Sequence, residues 1–224
     1  MPARTKEALS RDRVLAAGVA IADAEGLAAV TMRRVAAALD CEAMSLYHHV
    51  ADKKALLAGL AEAVVAEVLT ATLGTDDGGD GEDWRDVVRR RCLGAREVML
   101  AHPWAPPLIA AQPAPPNVYV LFEALVATMA GAGCSYVLAH RAIHALGPML
   151  LGFTSELFEP DDAEVTPEQL AALDEVFPHL GGVARVAAHE NEGSLSVCDT
   201  RAEFVFTLGL VLDGLEAHRV RAAG

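Results

Sequence analysis

Between Thr31 and Lys54 the chain reads TMRRVAAALDCEAMSLYHHVADKK, which predicts two short helices, a tight turn between them, and the start of a third. Val35, Ala36 and Leu39 make one apolar face, and Ala43, Leu46 and Val50 make another. Packing these faces together leaves Arg33, Arg34, Ser45, Tyr47, His48, His49, Lys53 and Lys54 outside. A helix-turn-helix has this form: two packed helices, the second with an outer face polar enough to meet DNA.

The remaining periodicity is helical as well. Ser10 can cap a first helix with Val14, Leu15, Val19 and Ala22 on one side, stopped by Gly26. Thr31 caps the second helix, and the third covers about 42–49. Asp52 caps a fourth, over about 52–72, with Leu56, Leu57, Leu60, Val64 and Val68 as its stripe. The run GTDDGGDG at 74–81 is a loop and lies close to a domain boundary. A fifth helix is expected over 83–101. Six prolines between Pro103 and Pro116 then break the chain. Helices follow at about 117–130, from Ser135 through Phe158 with Pro148 inside, and over 180–190. Thr166–Gln169 and Thr200–Glu203 both read as capping boxes. No alternating strand pattern competes, so the expected fold is all-α. Phe204, Leu208, Val211 and Leu215 mark one face of the last helix, while Val205, Phe206, Leu210 and Leu212 widen it. A helix apolar on so many sides needs more than one cover, which favours a subunit contact over an internal helix.

The net charge of −13 is unevenly spread. Residues 1–54 hold eight Lys/Arg against seven Asp/Glu, whereas residues 55–224 hold ten Arg, no Lys and 24 Asp/Glu. A locally basic end and an acidic body that DNA repels fit a protein reading DNA with one end only. The four cysteines are scattered without a CxxC pair, so neither zinc nor a disulfide framework is suggested. No uninterrupted apolar run reaches the roughly 18 residues of a membrane span, and the polar start has no signal-like segment. The expectation is a cytoplasmic protein without membrane contact.

The pattern T-x-R-x-x-A-x-x-L, then S-L-Y-x-H-V, then K-x-x-L-L, carried by Ala17 to Leu60, resembles the tetracycline-repressor-like (TetR) family of transcriptional regulators. More loosely, Trp84, His102-Pro103 and FVFTLGLVLDGLE resemble that family's tetracycline-repressor-type C-terminal domain. The resemblance implies residues 1–54 as a three-helix DNA-binding domain, helix 52–72 as connector, and 55–224 as the effector-binding and dimerisation domain. It implies DNA contact at Thr31, Arg33, Ala43, Met44, Ser45, Tyr47, His48, His49 and Lys53. Arg33 suits a base or backbone contact, and Ala43 and Met44 offer only apolar contact, for example to a thymine methyl. Tyr47, His49 and Lys53 match phosphate-contacting positions. Ala43, Met44 and His48 depart from the tetracycline repressors, implying a different operator. Leu69, Arg91 and Ile109 stand where those repressors bind the drug and its magnesium, implying a different, largely apolar effector.

The expected pocket draws on Arg91, Cys92, His102, Trp104, Tyr119, Phe122, His140, His144, Met149, Phe153 and Phe177, against core packing as the alternative at each position. His140 and His144 are spaced as a metal half-site but lack a third ligand, so no metal and no cofactor is expected. No nucleophile–base pair, phosphate loop or carboxylate dyad stands out, so no enzyme is expected. The partners implied are double-stranded operator DNA, a small-molecule effector and a second copy of the chain. Two rivals stay open: a helical binding module that no longer reads DNA, and an enzyme using His140 and His144 as acid and base.

Overall fold

Ser10 accepts the backbone N–H of Arg13 and starts α1 (Arg11–Glu25), and Gly26, at φ 82°, ends it with its N–H on the Ala22 carbonyl. That conformation is one that glycine adopts without Cβ strain. The computed structural model describes residues 8–73, 81–152, 166–183 and 200–223. All regular structure among the described residues is helical.

A 3-10 turn (Leu27–Ala29) leads to α2 (Met32–Ala38), capped by Thr31 Oγ1 on the Arg34 N–H at 3.1 Å. Asp40, the residue after α2's C-cap, has φ 50°; Cys41 N–H bonds the Ala36 carbonyl and Asp40 N–H the Ala37 carbonyl. This left-handed stop turns the chain into α3 (Ala43–Leu46), which is shorter than the 42–49 expected. Leu46 and Val50, four apart, are nonetheless both buried, the spacing of one helical face. After Leu46 the chain tightens through Tyr47 N–H to the Met44 carbonyl and His49 N–H to the Leu46 carbonyl.

Asp52 Oδ1 accepts the Ala55 N–H at 2.7 Å, and α4 (Lys53–Leu73) follows. By length and hydropathy alone α4 could cross a bilayer. Instead Leu56, Leu60, Val64 and Val68 join one core with Val14, Leu15, Val35 and Leu46 from α1–α3 and with Met99, Ala105 and Leu108 beyond them. Two glycines let α1 approach closely: a Cβ on Gly18 would stand 2.8 Å from Leu60 Cδ2, and one on Gly59 2.5 Å from Leu15 Cδ2. No break in packing therefore falls at residue 54.

Asp83 caps α5 (Trp84–Ala101), its carboxyl held down to about 2 by hydrogen bonds from the Arg85 side chain and backbone. The proline-rich stretch forms α6 (Ala105–Ala110), and α7 (Pro116–Gly131) begins on proline, which suits a first helical turn. Ser135 Oγ accepts the Leu138 N–H ahead of α8 (Tyr136–Gly152), which contains Pro148. The expected continuation of that helix to Phe158 lies outside the described residues. α4 packs on α1, α5, α6 and α7, and α8 on α5, α6 and α7.

Two compact units divide the chain: Met1–Thr154 with His218–Gly224, and Ser155–Ala217. In the second, Thr166 and Gln169 exchange side chain–backbone hydrogen bonds as expected and open α9 (Pro167–Val176). Helical residues 178–183 follow, so the helix expected from Leu180 starts earlier, and its expected end lies outside the described residues. Thr200 is the first residue of α10 (Thr200–Ala223). Phe204, Leu208, Leu212 and Leu215 are its buried stripe, with Val211 half-buried, which corrects the placing of Leu212 on the widened flank. Phe206 and Leu210 are 63% and 59% exposed.

Candidate DNA-reading surface and effector cavity

The helix-turn-helix residues separate by exposure. Val35, Ala36, Leu46 and Val50 are buried and hold α2 and α3 together, leaving Thr31, Arg33, Met44, Tyr47, His48 and Lys53 exposed. Ala43, Ser45 and His49 are half-buried. Met44 is 71% exposed, although its side chain is apolar. The two adjacent arginines differ: Arg34 Nη2 sits 2.5 Å from Glu25 Oε1, tying α2 to the end of α1, and Glu25's carboxyl is lowered by that hydrogen bond. Arg33 makes no ion pair among the described residues. Thr31 spends its hydroxyl as a cap, so any other contact it makes must share that oxygen. Lys53 opens α4, where the first backbone N–H groups and the helix dipole favour an anion.

At the other end of α4, Val65, Val68, Thr72 and Leu73 form one wall of a cavity of about 210 Å³. Val88, Arg91 and Cys92 of α5, Leu121, Phe122 and Leu125 of α7, and Ile143, Leu146 and Leu150 of α8 close it. Its walls are almost wholly apolar. Arg91 Nη1 donates to the Ala124 carbonyl at 3.0 Å and to Thr128 Oγ1 at 2.8 Å, which fixes the guanidinium against α7. Burial pushes the Cys92 thiol up to about 12, so it lines the cavity as a neutral group. A second recess of about 590 Å³ shares Phe122, Ile143, Gly147 and Leu151 with this cavity and adds Pro106, Pro107, His144 and Pro148.

Of the expected pocket residues, Arg91, Cys92 and Phe122 line the cavity and His144 lines the adjoining recess. The others described do not line either. Tyr119 is one position from the Val118 and Phe122 face of α7 and points outward, 63% exposed. Met149 is buried on a different side of α8 from the 143, 146, 147 and 150 face, as the 3.6-residue period requires. His140 is exposed, its ring edge-on to His144 with centroids 4.6 Å apart. Phe177 is exposed in the other unit, and Phe153 lies outside the described residues. The aliphatic lining of α4 and α8 was missed because periodicity cannot separate a side chain facing a cavity from one facing a neighbour.

His102 and Trp104 do something else. His102 Nδ1 is 2.7 Å from Asp23 Oδ1 of α1, and its Nε2 is 3.2 Å from Glu67 Oε2 of α4. Trp104 Nε1 donates to the same Asp23 oxygen at 2.6 Å. Burial alone would lower the imidazole pKa. The hydrogen bonds and charges of Asp23 and Glu67 outweigh it and raise the value above the ordinary one. The corner between α5 and α6 is thus tied to both α1 and α4, and these two residues leave the pocket because a charged partner on α1 holds them. Among the described residues no group of three His, Cys, Asp or Glu is placed to hold a metal ion.

Comparison with known proteins bears on both regions. Residues 14–60 match the bacterial regulatory proteins of the tetR family, and residues 77–219 match the tetracyclin repressor-like C-terminal domain. An HTH-type transcriptional regulator of Saccharopolyspora erythraea is 31% identical over 186 residues, 80% of this chain and 76% of that one. The class E tetracycline repressor protein of Escherichia coli is 31% identical over 205 residues, 90% of this chain and 87% of that one. A possible TetR family transcriptional regulator from Streptomyces coelicolor A3(2) has a similar solved structure, with a TM-score of 0.71, 31% identity, and coverage of 93% and 99% of the two chains. ActR of Streptomyces coelicolor in complex with actinorhodin gives 0.73 at 27% identity, covering 95% and 99%.

Proposed function

Because this chain belongs to the TetR family of bacterial transcriptional regulators, we propose that it is a repressor released from a palindromic operator by a small, largely apolar effector. One observation carries the reading. The same helix, α4, presents Lys53 at its first residue and four cavity-lining side chains, Val65, Val68, Thr72 and Leu73, near its other end. A ligand that fills the cavity pushes on α4, and a shift of α4 moves the helix-turn-helix packed against its start. Such coupling typically amounts to ~1–3 kcal/mol.

In this reading residues 1–54 read DNA and residues 55–224 bind the effector and dimerise. Arg33, Ala43, Met44 and Ser45 meet base edges, Tyr47, His48, His49 and Lys53 meet the backbone, and Thr31 sets the start of α2. Two copies place their α3 helices in successive major grooves about one turn apart. The exposed Phe206 and Leu210 of α10 supply apolar surface for the second copy. The effector is not a magnesium-chelated tetracycline, because Arg91 and Ile109 line the cavity and neither offers a metal ligand. That the family accepts other ligands is clear from ActR, solved with actinorhodin.

A gel shift against the DNA upstream of the chain's own gene tests the reading. Binding of one palindromic fragment, weakened as salt rises, is the expected result. Absence of any bound fragment at every salt concentration leaves the alternative, a helical binding module that does not read DNA.

A further inference from the structure

The cavity reaches the DNA-reading end by a second route besides α4. Met99 of α5 and Ile109 of α6 both line it. Between them, at the corner joining the two helices, His102 and Trp104 both bond to Asp23 in the last turn of α1. Two residues further on, Glu25 holds Arg34 of α2, the neighbour of the exposed Arg33. Val14 and Leu15 of the same α1 share one core with Val35 of α2 and Leu46 of α3. The corner of the cavity therefore grips the helix on which the helix-turn-helix is packed.

That grip depends on a proton. His102 is buried, with Asp23 of α1 at Nδ1 and Glu67 of α4 at Nε2. These two carboxylates are the charged groups that act on the ring. α6 faces it with Trp104, edge-on with centroids 5.9 Å apart, and the Val98 and Met99 carbonyls of α5 accept its backbone N–H. An imidazolium donates from both nitrogens, whereas the neutral ring has one N–H and one lone pair. Deprotonation thus turns a lone pair toward one carboxylate, and either α1 or α4 loses its hold on the corner. Trp104 keeps its own bond to Asp23, so the corner loosens without coming apart. Burial works against the charge on the ring, but the two carboxylates more than offset it and hold the proton to a higher pH than in an ordinary histidine.

We propose that His102 is a positioning residue for operator binding: its imidazolium clamps α1 and α4 to the corner of the cavity, and loss of the proton loosens the DNA-reading end and weakens binding. This rests on the reading of the chain as an operator-binding repressor and adds a regulation of that binding. A loosened end places α3 out of step with the groove, so a smaller fraction of the protein is competent and the apparent affinity falls with that fraction.

The test is fluorescence anisotropy of the full chain on the palindromic upstream fragment, at constant ionic strength, from about pH 6 to about pH 9, with His102→Gln beside it. Glutamine stays neutral and its amide donates to one carboxylate, as the neutral ring does. His48 and His49 on the DNA-reading surface are present in both proteins, so the ratio of the two affinities isolates His102. Over that range native binding weakens at least about fivefold more than that of the variant, the low end of coupling between distinct sites. Trp104 reports the same proton. In a Trp84→Phe background it is the only tryptophan, and a nearby imidazolium quenches indole emission by accepting its excited electron, so emission rises as the ring deprotonates. The midpoint of that rise coincides with the midpoint of the affinity change. Asp23→Asn keeps an oxygen for Trp104 but removes the charge. It weakens binding at the acid end in the native chain and adds less than about twofold to His102→Gln. Circular dichroism confirms that each variant is folded at both ends of the range. A fragment bound with one and the same pH profile by the native chain and by His102→Gln overturns the clamp and leaves the repressor reading standing, as does a Trp104 midpoint apart from that of the affinity change. If His102→Gln does not fold, the native profile set against the Trp104 midpoint decides alone. No fragment bound at any pH overturns the repressor reading and the clamp's part in it together.

Discussion

His102 Nδ1 lies 2.7 Å from Asp23 Oδ1, so the corner that follows α5 is hydrogen-bonded to the last turn of α1. With Nε2 facing Glu67 on α4, both ring nitrogens have a carboxylate to donate to, which the imidazolium satisfies and the neutral ring cannot. Three elements meet at one side chain there: the helix that starts the DNA-reading end, the connector, and the helix that lines the cavity.

The raised pKa of His102 gives stability a pH dependence of definite sign. A folded-state value above the ordinary 6.5 means that the contribution is fully present below about pH 6.5 and is lost as pH rises through the folded value. Urea midpoints measured across that range fall with pH in the native chain and fall less in His102→Gln. A midpoint that rises with pH in the native chain alone, relative to the variant, contradicts the arrangement.

Removing the ring costs stability at any pH. His102→Ala leaves a void at a buried corner and takes the donor from Asp23 and Glu67, both of which keep some contact with water. A loss of about 1–3 kcal/mol is expected from chemical denaturation. Trp104→Phe, which deletes one donor to the same Asp23 oxygen, costs less, about 1 kcal/mol.

Gly59 of α4 packs against the Leu15 side chain of α1. Its added Cβ would stand 2.5 Å from Leu15 Cδ2, so Gly59→Val makes the buried Leu15 side chain move aside within the core, despite improving helix propensity. Overpacking there lowers stability by about 1–3 kcal/mol. Thermal unfolding measures it, and a higher melting temperature contradicts the close approach.

Asp40 stops α2 at φ 50°, a conformation that a β-branched side chain resists. Asp40→Val costs about 1–2 kcal/mol, and Asp40→Gly, whose backbone accepts this conformation, costs less. Denaturant titration of the two variants should separate them in that order.

Arg33 and Arg34 adjoin in sequence but not in role. Arg34→Ala breaks the pair with Glu25 and acts on the packing of α2 against α1. Arg33→Ala leaves the fold intact and relaxes the operator preference. Lys53→Ala weakens binding to all sequences and makes its salt dependence shallower by about one ion. Gel shifts at several salt concentrations distinguish these outcomes, and a change of operator preference from Lys53→Ala would refute its assignment to phosphate.

Much of the fold was legible in the order of residues because its cues are local. Ser10, Thr31, Asp52, Asp83, Ser135 and Thr166 each accept a backbone N–H two or three positions on, and each helix begins beside its cap. The helix-turn-helix was legible for the same reason, its buried and exposed residues alternating within one turn of each other. The cavity was less so: three of eleven expected residues line it, with a fourth on the recess. Aromatic and titratable side chains drew attention in the sequence, whereas aliphatic ones from four helices build most of the walls.

The sequence by itself determined the helices, their caps and the faces each would bury, since a 3.6-residue period and a side-chain cap act over a few residues. Tertiary structure alone decided which buried faces enclose space and which fill it. It also decided that His102 meets Asp23 from 79 residues away, at the α5–α6 corner. Such relations depend on where separate helices cross, and that is settled by the packing of whole surfaces such as Gly18 and Gly59 against Leu60 and Leu15.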